Sequence, residues 1–105
     1  MAQFIITYLG GNPPATPQEG KQHFAKYKAW LEALADKVVS PANPFKDTHT
    51  ISSDGSVKPV SSTHMSGYTV IQADTMEQAL ELAKGCPFLE VGGTLEVSEL
   101  VQMKM

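Results

Sequence analysis

The chain has 105 residues, 42% hydrophobic and 18% charged, which suffices for one hydrophobic core and falls short of two ordinary domains, so a single domain over residues 1–105 is expected. Its formal net charge of -3 comes from scattered acids with no Lys/Arg cluster to neutralise a run of phosphates, which argues against a nucleic-acid partner. There is no apolar run near the roughly 20 residues of a membrane span, no signal-peptide pattern over Met1 to Gly10, and a single cysteine, Cys86. The expectations are therefore no membrane association, a cytoplasmic location, and neither a disulfide nor structural zinc.

In chain order, Phe4 to Leu9 is apolar at both parities, as in a strand covered on both faces. A Gly/Pro-rich loop follows, and Thr16, Pro17 and Glu19 supply an N-cap, a first-turn proline and a capping-box acid. The helix they open carries an apolar stripe of Phe24, Tyr27, Trp30, Leu31 and Leu34, and it should fade near Asp36. Pro41 and Pro44 limit Val38 to Phe45 to an edge or bulged strand.

Thr48 to Ser52 and Val57 to Val60 flank Asp54-Gly55, which predicts a hairpin with a type I′ turn. Tyr68 to Ala73 reads as a second buried strand. Asp74 and Glu77 form a capping-box pattern ahead of a helix with Met76, Ala79, Leu80 and Ala83, stopped by Gly85 and Pro87. Thr94 to Val101 is the last strand. With right-handed crossovers, this order predicts a ferredoxin-like α+β fold: a split βαβ sandwich with an inserted hairpin and both helices on one sheet face. The apolar residues left on the other face call for a partner sheet, so a homodimer of dimeric α/β-barrel type is expected, with pockets near the sheet-helix crevice.

The segment GYTVIQADTMEQALELAKGCPFLEVGGTLEV resembles the C-terminal half of the YCII-related (YciI/DGPF) family: a Gly-Tyr strand opening, a D-x-x-x-A-x-x-x-A helix, C-P-x-L-x-x-G-G and a final strand. The N-terminal half resembles it too, with a short strand, a helix carrying Trp30 and Leu34, and the Asp54-Gly55 hairpin. The Asp-Gly-Pro-Phe tetrad of the DGPF branch is absent, and Ser61 to Gly67 (SSTHMSG) replaces a more acidic run. The resemblance implies a small-molecule enzyme of the YciI lyase type, a group that includes a dehydrochlorinase of a chlorinated hydroxyquinol, with no organic cofactor. It also implies catalytic roles for His23 on the first helix and for Asp47, which ends Asn43-Pro44-Phe45-Lys46-Asp47; Asp36 is the second candidate acid. Tyr68 stands where that branch has a Ser, which points to a different substrate or a lost activity.

His23 lies at the margin of the apolar stripe, four residues before Tyr27, where an imidazole oriented by an acid could take a proton from a phenol or an activated carbon. The plain alternative is a helix-edge histidine bonded to water. Tyr8 and Tyr68, in the most apolar strands, are candidate substrate-binding hydroxyls as well as ordinary core tyrosines. His64, just ahead of a buried strand, is a candidate on a loop over the pocket. His49 and His64 could meet across the hairpin, but no metal-ligand spacing accompanies them, and no metal is assigned. Cys86 sits at a helix C-terminus, where the dipole disfavours a thiolate, and is rejected as nucleophile. Two further readings compete with the lyase: a non-catalytic small-ligand-binding or accessory dimer, and a cofactor-free monooxygenase of the same barrel architecture.

Overall fold

The computed structural model describes residues 2–103. Four strands, β1 (Ala2–Gly10), β2 (Val38–Pro44), β5 (Met65–Ala73) and β6 (Gly93–Glu99), form one sheet in the order β2-β5-β1-β6, while β3 (Thr50–Ile51) and β4 (Val57–Lys58) form a separate hairpin. Each neighbouring pair in the sheet is antiparallel, so β1 and β2 run the same way with β5 between them. This is the ferredoxin-like split βαβ arrangement. The helices α1 (Pro17–Leu34) and α2 (Met76–Lys84) are the two connections, and neither is long and apolar enough to cross a membrane.

Alternation along the central strands decides which face is core. Phe4, Ile6 and Tyr8 pair with Ile71, Thr69 and Gly67 of β5, and all six are buried. They meet Trp30 and Leu34 of α1 and Ala79 and Ala83 of α2 in one cluster, so both helices share that face. The small alanines let α2 lie close to the sheet, and Trp30 Nε1 ties the helices by donating to the Leu82 carbonyl at 2.9 Å. Ile5, Leu9 and Tyr68, at the opposite parity, stay half-buried on the other face.

Three local expectations need correcting. α2 is capped by Thr75, whose Oγ1 accepts from Gln78 N at 3.1 Å while Gln78 Oε1 accepts from Asp74 N, so the capping pair lies one residue later than Asp74 and Glu77. Thr16 and Glu19 do the same for α1, with Glu19 reaching back to Ala15 N. The hairpin has no type I′ turn, because only Gly55 of the dipeptide adopts a positive φ (89°). Gly55 N bonds Ser52 O, and the Asp54 carboxylate accepts from both the backbone N–H and the hydroxyl of Ser56, which holds a longer loop and keeps that carboxyl below its ordinary value. The third correction concerns α1: its stripe enters the core only through its C-terminal half, since Phe24 is 66% exposed.

Candidate functional site

The apolar residues that α1 withholds from the core line a cleft. Its inner part, about 380 Å³, lies between α1, the end of β1 and β2, and is walled by Tyr8, Phe24, Tyr27, Pro44 and Phe88 with His23 at the rim. A broader outer basin of about 710 Å³, reaching Asn12, Glu19 and Lys26, shares His23, Ser66 and Phe88 with it. His23 thus stands where a slot opens into a broader basin that carries the charged side chains Glu19, Lys26 and Glu90.

Phe88 is held as the floor by two glycines. A Cβ at Gly93 would come within 2.2 Å of its ring and one at Gly11 within 2.8 Å, so the two close approaches leave no room for a side chain. Nothing in the sequence signals that the bareness of Gly11 and Gly93 seats an aromatic ring. Tyr8 meets Phe88 edge-on at 5.3 Å and Tyr27 at 6.1 Å, geometries that aromatic quadrupoles favour.

Beneath these rings three hydroxyls and one carbonyl converge. Tyr8 Oη hydrogen-bonds Thr69 Oγ1 and lies 2.9 Å from Tyr27 Oη, which is itself 3.1 Å from Thr69 Oγ1. Thr69 Oγ1 donates to the Pro41 carbonyl at 2.6 Å, and Tyr27 Oη lies 3.3 Å from the same oxygen. The carbonyl is free to point there because β2 slips register between Ser40 and Asn43, around a proline with no N–H to hold the ladder. Burial pushes the Tyr8 phenol well above its ordinary value, outweighing the effect of its hydrogen bond with Thr69. Tyr8 therefore stays protonated across any physiological pH.

Of the five residues singled out from the sequence, Tyr8 and His23 face this cleft and the others do not. Tyr68 pairs with Thr7 on the opposite face and packs against Phe45 at 5.9 Å. His64 is exposed with φ 59°, and its bonds are main-chain ones: its carbonyl accepts from Gly10 N and its N–H donates to Ser61 Oγ. Asp47, on the exposed loop after β2, lies beside His49, whose Nδ1 is 3.1 Å from the Asp47 carbonyl and 3.8 Å from its carboxylate. Among the described residues no hydrogen bond joins His23 to Asp47 or to Asp36, whose carbonyl instead accepts from Gln72 Nε2. The loop takes Asp47 outward because Pro44 ends β2 and Asp47 itself turns at φ 61°.

Tyr27, Thr69, Pro41 and Phe88 go unremarked as cleft or cluster residues in the sequence; the one available signal is Pro41, a proline inside an edge strand, whose missing N–H forecasts a break in the ladder there. Cys86 is buried, and burial pushes its thiol up to about 11, which leaves no thiolate for chemistry. Among the described residues no group of three His, Cys, Asp or Glu side chains gathers at metal-binding distance.

The chain is similar to a solved structure, that of a 5-chloro-2-hydroxyhydroquinone dehydrochlorinase from Burkholderia phenoliruptrix in complex with 2,5-dihydroxybenzoquinone: the identity is 17%, the TM-score 0.60, and the match covers 96% of this chain and 95% of that one. At that identity the likeness speaks for the fold. No curated protein sequence matches. The family profile of the YCII-related domain matches residues 4–104, nearly the whole chain, which belongs to the YCII-related domain family.

Proposed function

We propose that the chain is a small-molecule enzyme of the lyase type in which His23 takes a proton from a small hydroxylated ring held in the inner cleft. The observation that carries this is the position of His23 at the rim of a slot walled by Tyr8, Phe24, Tyr27 and Phe88. Those rings suit the faces and edges of an aromatic ligand, and the volume suits a small one. The dihydroxylated ring bound by the similar dehydrochlorinase is a ligand of that class. An imidazole is the side chain that most readily takes and returns a proton near neutral pH. Asp47, the acid expected to orient it, belongs to another loop region, so His23 acts here as a base without that partner.

The same observation favours a second reading. A histidine bonded to no carboxylate among the described residues suits a non-catalytic ligand-binding or accessory domain equally well in geometry. Thermal-shift titration of wild type and His23→Ala with phenols, quinols and hydroxy acids, followed by absorbance assays of the rings that bind, separates the two. Binding by both proteins with turnover only by wild type supports the enzyme; binding by both with no turnover supports the accessory domain. If no hydroxylated ring stabilises either protein, both readings fall.

We propose further that two copies pair through the outer sheet face, where Ile5, Leu9 and Tyr68 are half-buried. An apolar sheet face left to water is costly, and two-fold pairing is the simplest cover.

A further inference from the structure

We infer that Tyr27 is the residue through which the cleft selects rings that bear a hydroxyl, its phenol donating a hydrogen bond to that oxygen. This rests on the reading of the inner cleft as an aromatic-ligand site. The argument is an accounting of protons in the hydroxyl cluster. The Pro41 carbonyl has no proton to give, and Thr69 Oγ1, at 2.6 Å, donates to it. Tyr8, protonated and 7% exposed, is left to donate to Thr69, with which it is in contact.

The Tyr27 proton then has three acceptors within reach: Tyr8 Oη at 2.9 Å, Thr69 Oγ1 at 3.1 Å and the Pro41 oxygen at 3.3 Å. None of the three depends on it. If Tyr27 turned its proton to a ligand, Pro41 would keep Thr69, Thr69 would keep Tyr8 and Pro41, and Tyr8 would keep Thr69. No buried polar atom is orphaned, so the usual penalty for breaking a buried hydrogen bond does not arise.

Tyr8 and Tyr27 both wall the cleft, and of the two it is Tyr27 whose proton is not committed within the cluster. Thr69 is fully buried and does not line it, whereas Tyr27 is half-buried on its wall. Apart from His23, assigned here to take the proton, the other side-chain donors on that wall are engaged: Asn43 Nδ2 donates to Ser40 Oγ and to the Tyr68 carbonyl, and Ser66 Oγ to the Tyr8 carbonyl. When His23 draws off a proton and charge grows on the ring, a donor at Tyr27 bonds the charged oxygen more strongly than the neutral one. Tyr27 therefore serves selection first and stabilisation of the anion second.

The test is a pair of rings of similar shape, hydroquinone and 1,4-difluorobenzene, titrated calorimetrically into wild type, Tyr27→Phe and Tyr68→Phe. Wild type should prefer hydroquinone by about tenfold, the worth of one good hydrogen bond. Tyr27→Phe should bring the preference to about twofold with difluorobenzene affinity unchanged, and Tyr68→Phe, altered on the opposite sheet face, should keep it. An undiminished preference in Tyr27→Phe overturns the inference while leaving the aromatic cleft intact; failure of wild type to bind either ring overturns the cleft itself. In wild type carrying tyrosine labelled at the ring carbon that bears oxygen, hydroquinone should shift the Tyr27 resonance and leave Tyr68 still. This readout holds even if the variant folds poorly, and a shift confined to Tyr68 would overturn the inference.

Discussion

Gly93 sits in extended backbone at the start of β6, and its importance is steric: the Phe88 ring occupies the space a methyl group would need. Gly93→Ala is expected to destabilise the fold by about 1–3 kcal/mol through overpacking, measured by urea denaturation. The double variant Gly93→Ala with Phe88→Leu should recover part of that loss, since the two residues share one volume. Equal stability of Gly93→Ala and wild type would mean that Phe88 does not fill the site. Cys86 gives a pH prediction of definite sign. Its folded value of about 11 lies above the ordinary 9.0, so the folded state holds the proton more tightly than the unfolded chain. The stability this contributes is whole below pH 9 and drains away as pH climbs toward 11, by at most about 1.4 kcal/mol per pH unit. Tyr8, raised for the same reason, extends the loss to higher pH. Urea melts at pH 8 and pH 10.5 should show a smaller drop for Cys86→Ala than for wild type, and parallel drops would refute the assignment. Tyr8 and His23 are legible as cleft residues because each advertises itself locally, one in a buried strand and one on a stripe's edge. Thr69 and Pro41 gain their roles only by meeting across the sheet.

At the scale of elements, the sequence speaks through period and caps, and these carry most of the fold. The two-residue alternation of Phe4, Ile6 and Tyr8 and the helical spacing of Trp30 and Leu34 put the right residues in the core. What the pattern does not reveal is where a stripe stops being core: Phe24 belongs to the same stripe as Trp30 yet lines the cleft, because among the described residues nothing packs over it. The shift of the α2 cap has a similar cause. Asp74 and Thr75 both qualify by residue type, and the choice falls to Gln78, whose side chain reaches back to Asp74 N when Thr75 is the cap. Thr75→Ala should then cost about 1 kcal/mol, and Glu77→Ala less than about 0.5 kcal/mol. Denaturation of the two variants side by side checks this, and a larger loss for Glu77→Ala would restore the earlier pair.

The whole molecule is a slab of 46 × 42 × 18 Å, one sheet layer and one helix layer thick. Its radius of gyration, 15.2 Å, exceeds the about 13 Å usual for a chain of this length. The excess lies in a hairpin whose paired Ile51 and Val57 are 72% and 60% exposed, and in an extended end where Val101 is 82% exposed. A two-stranded ribbon has little stability of its own in water, and the sheet beside it keeps Ile5, Leu9 and Tyr68 on a face that no helix covers. One partner copy would cover that face. Sedimentation at micromolar concentration is expected to give twice the mass of the chain, and Ile5→Lys, which plants a charge in the middle of the outer face, should give the single mass with an unchanged far-ultraviolet spectrum. Ile5 serves better than a core position because its side chain points away from the Phe4, Ile6 and Tyr8 cluster, so the charge acts on pairing and not on folding. A monomeric wild type would remove the pairing proposal and leave the cleft, which is built within one chain, untouched; a dimeric Ile5→Lys would place the contact on the hairpin instead.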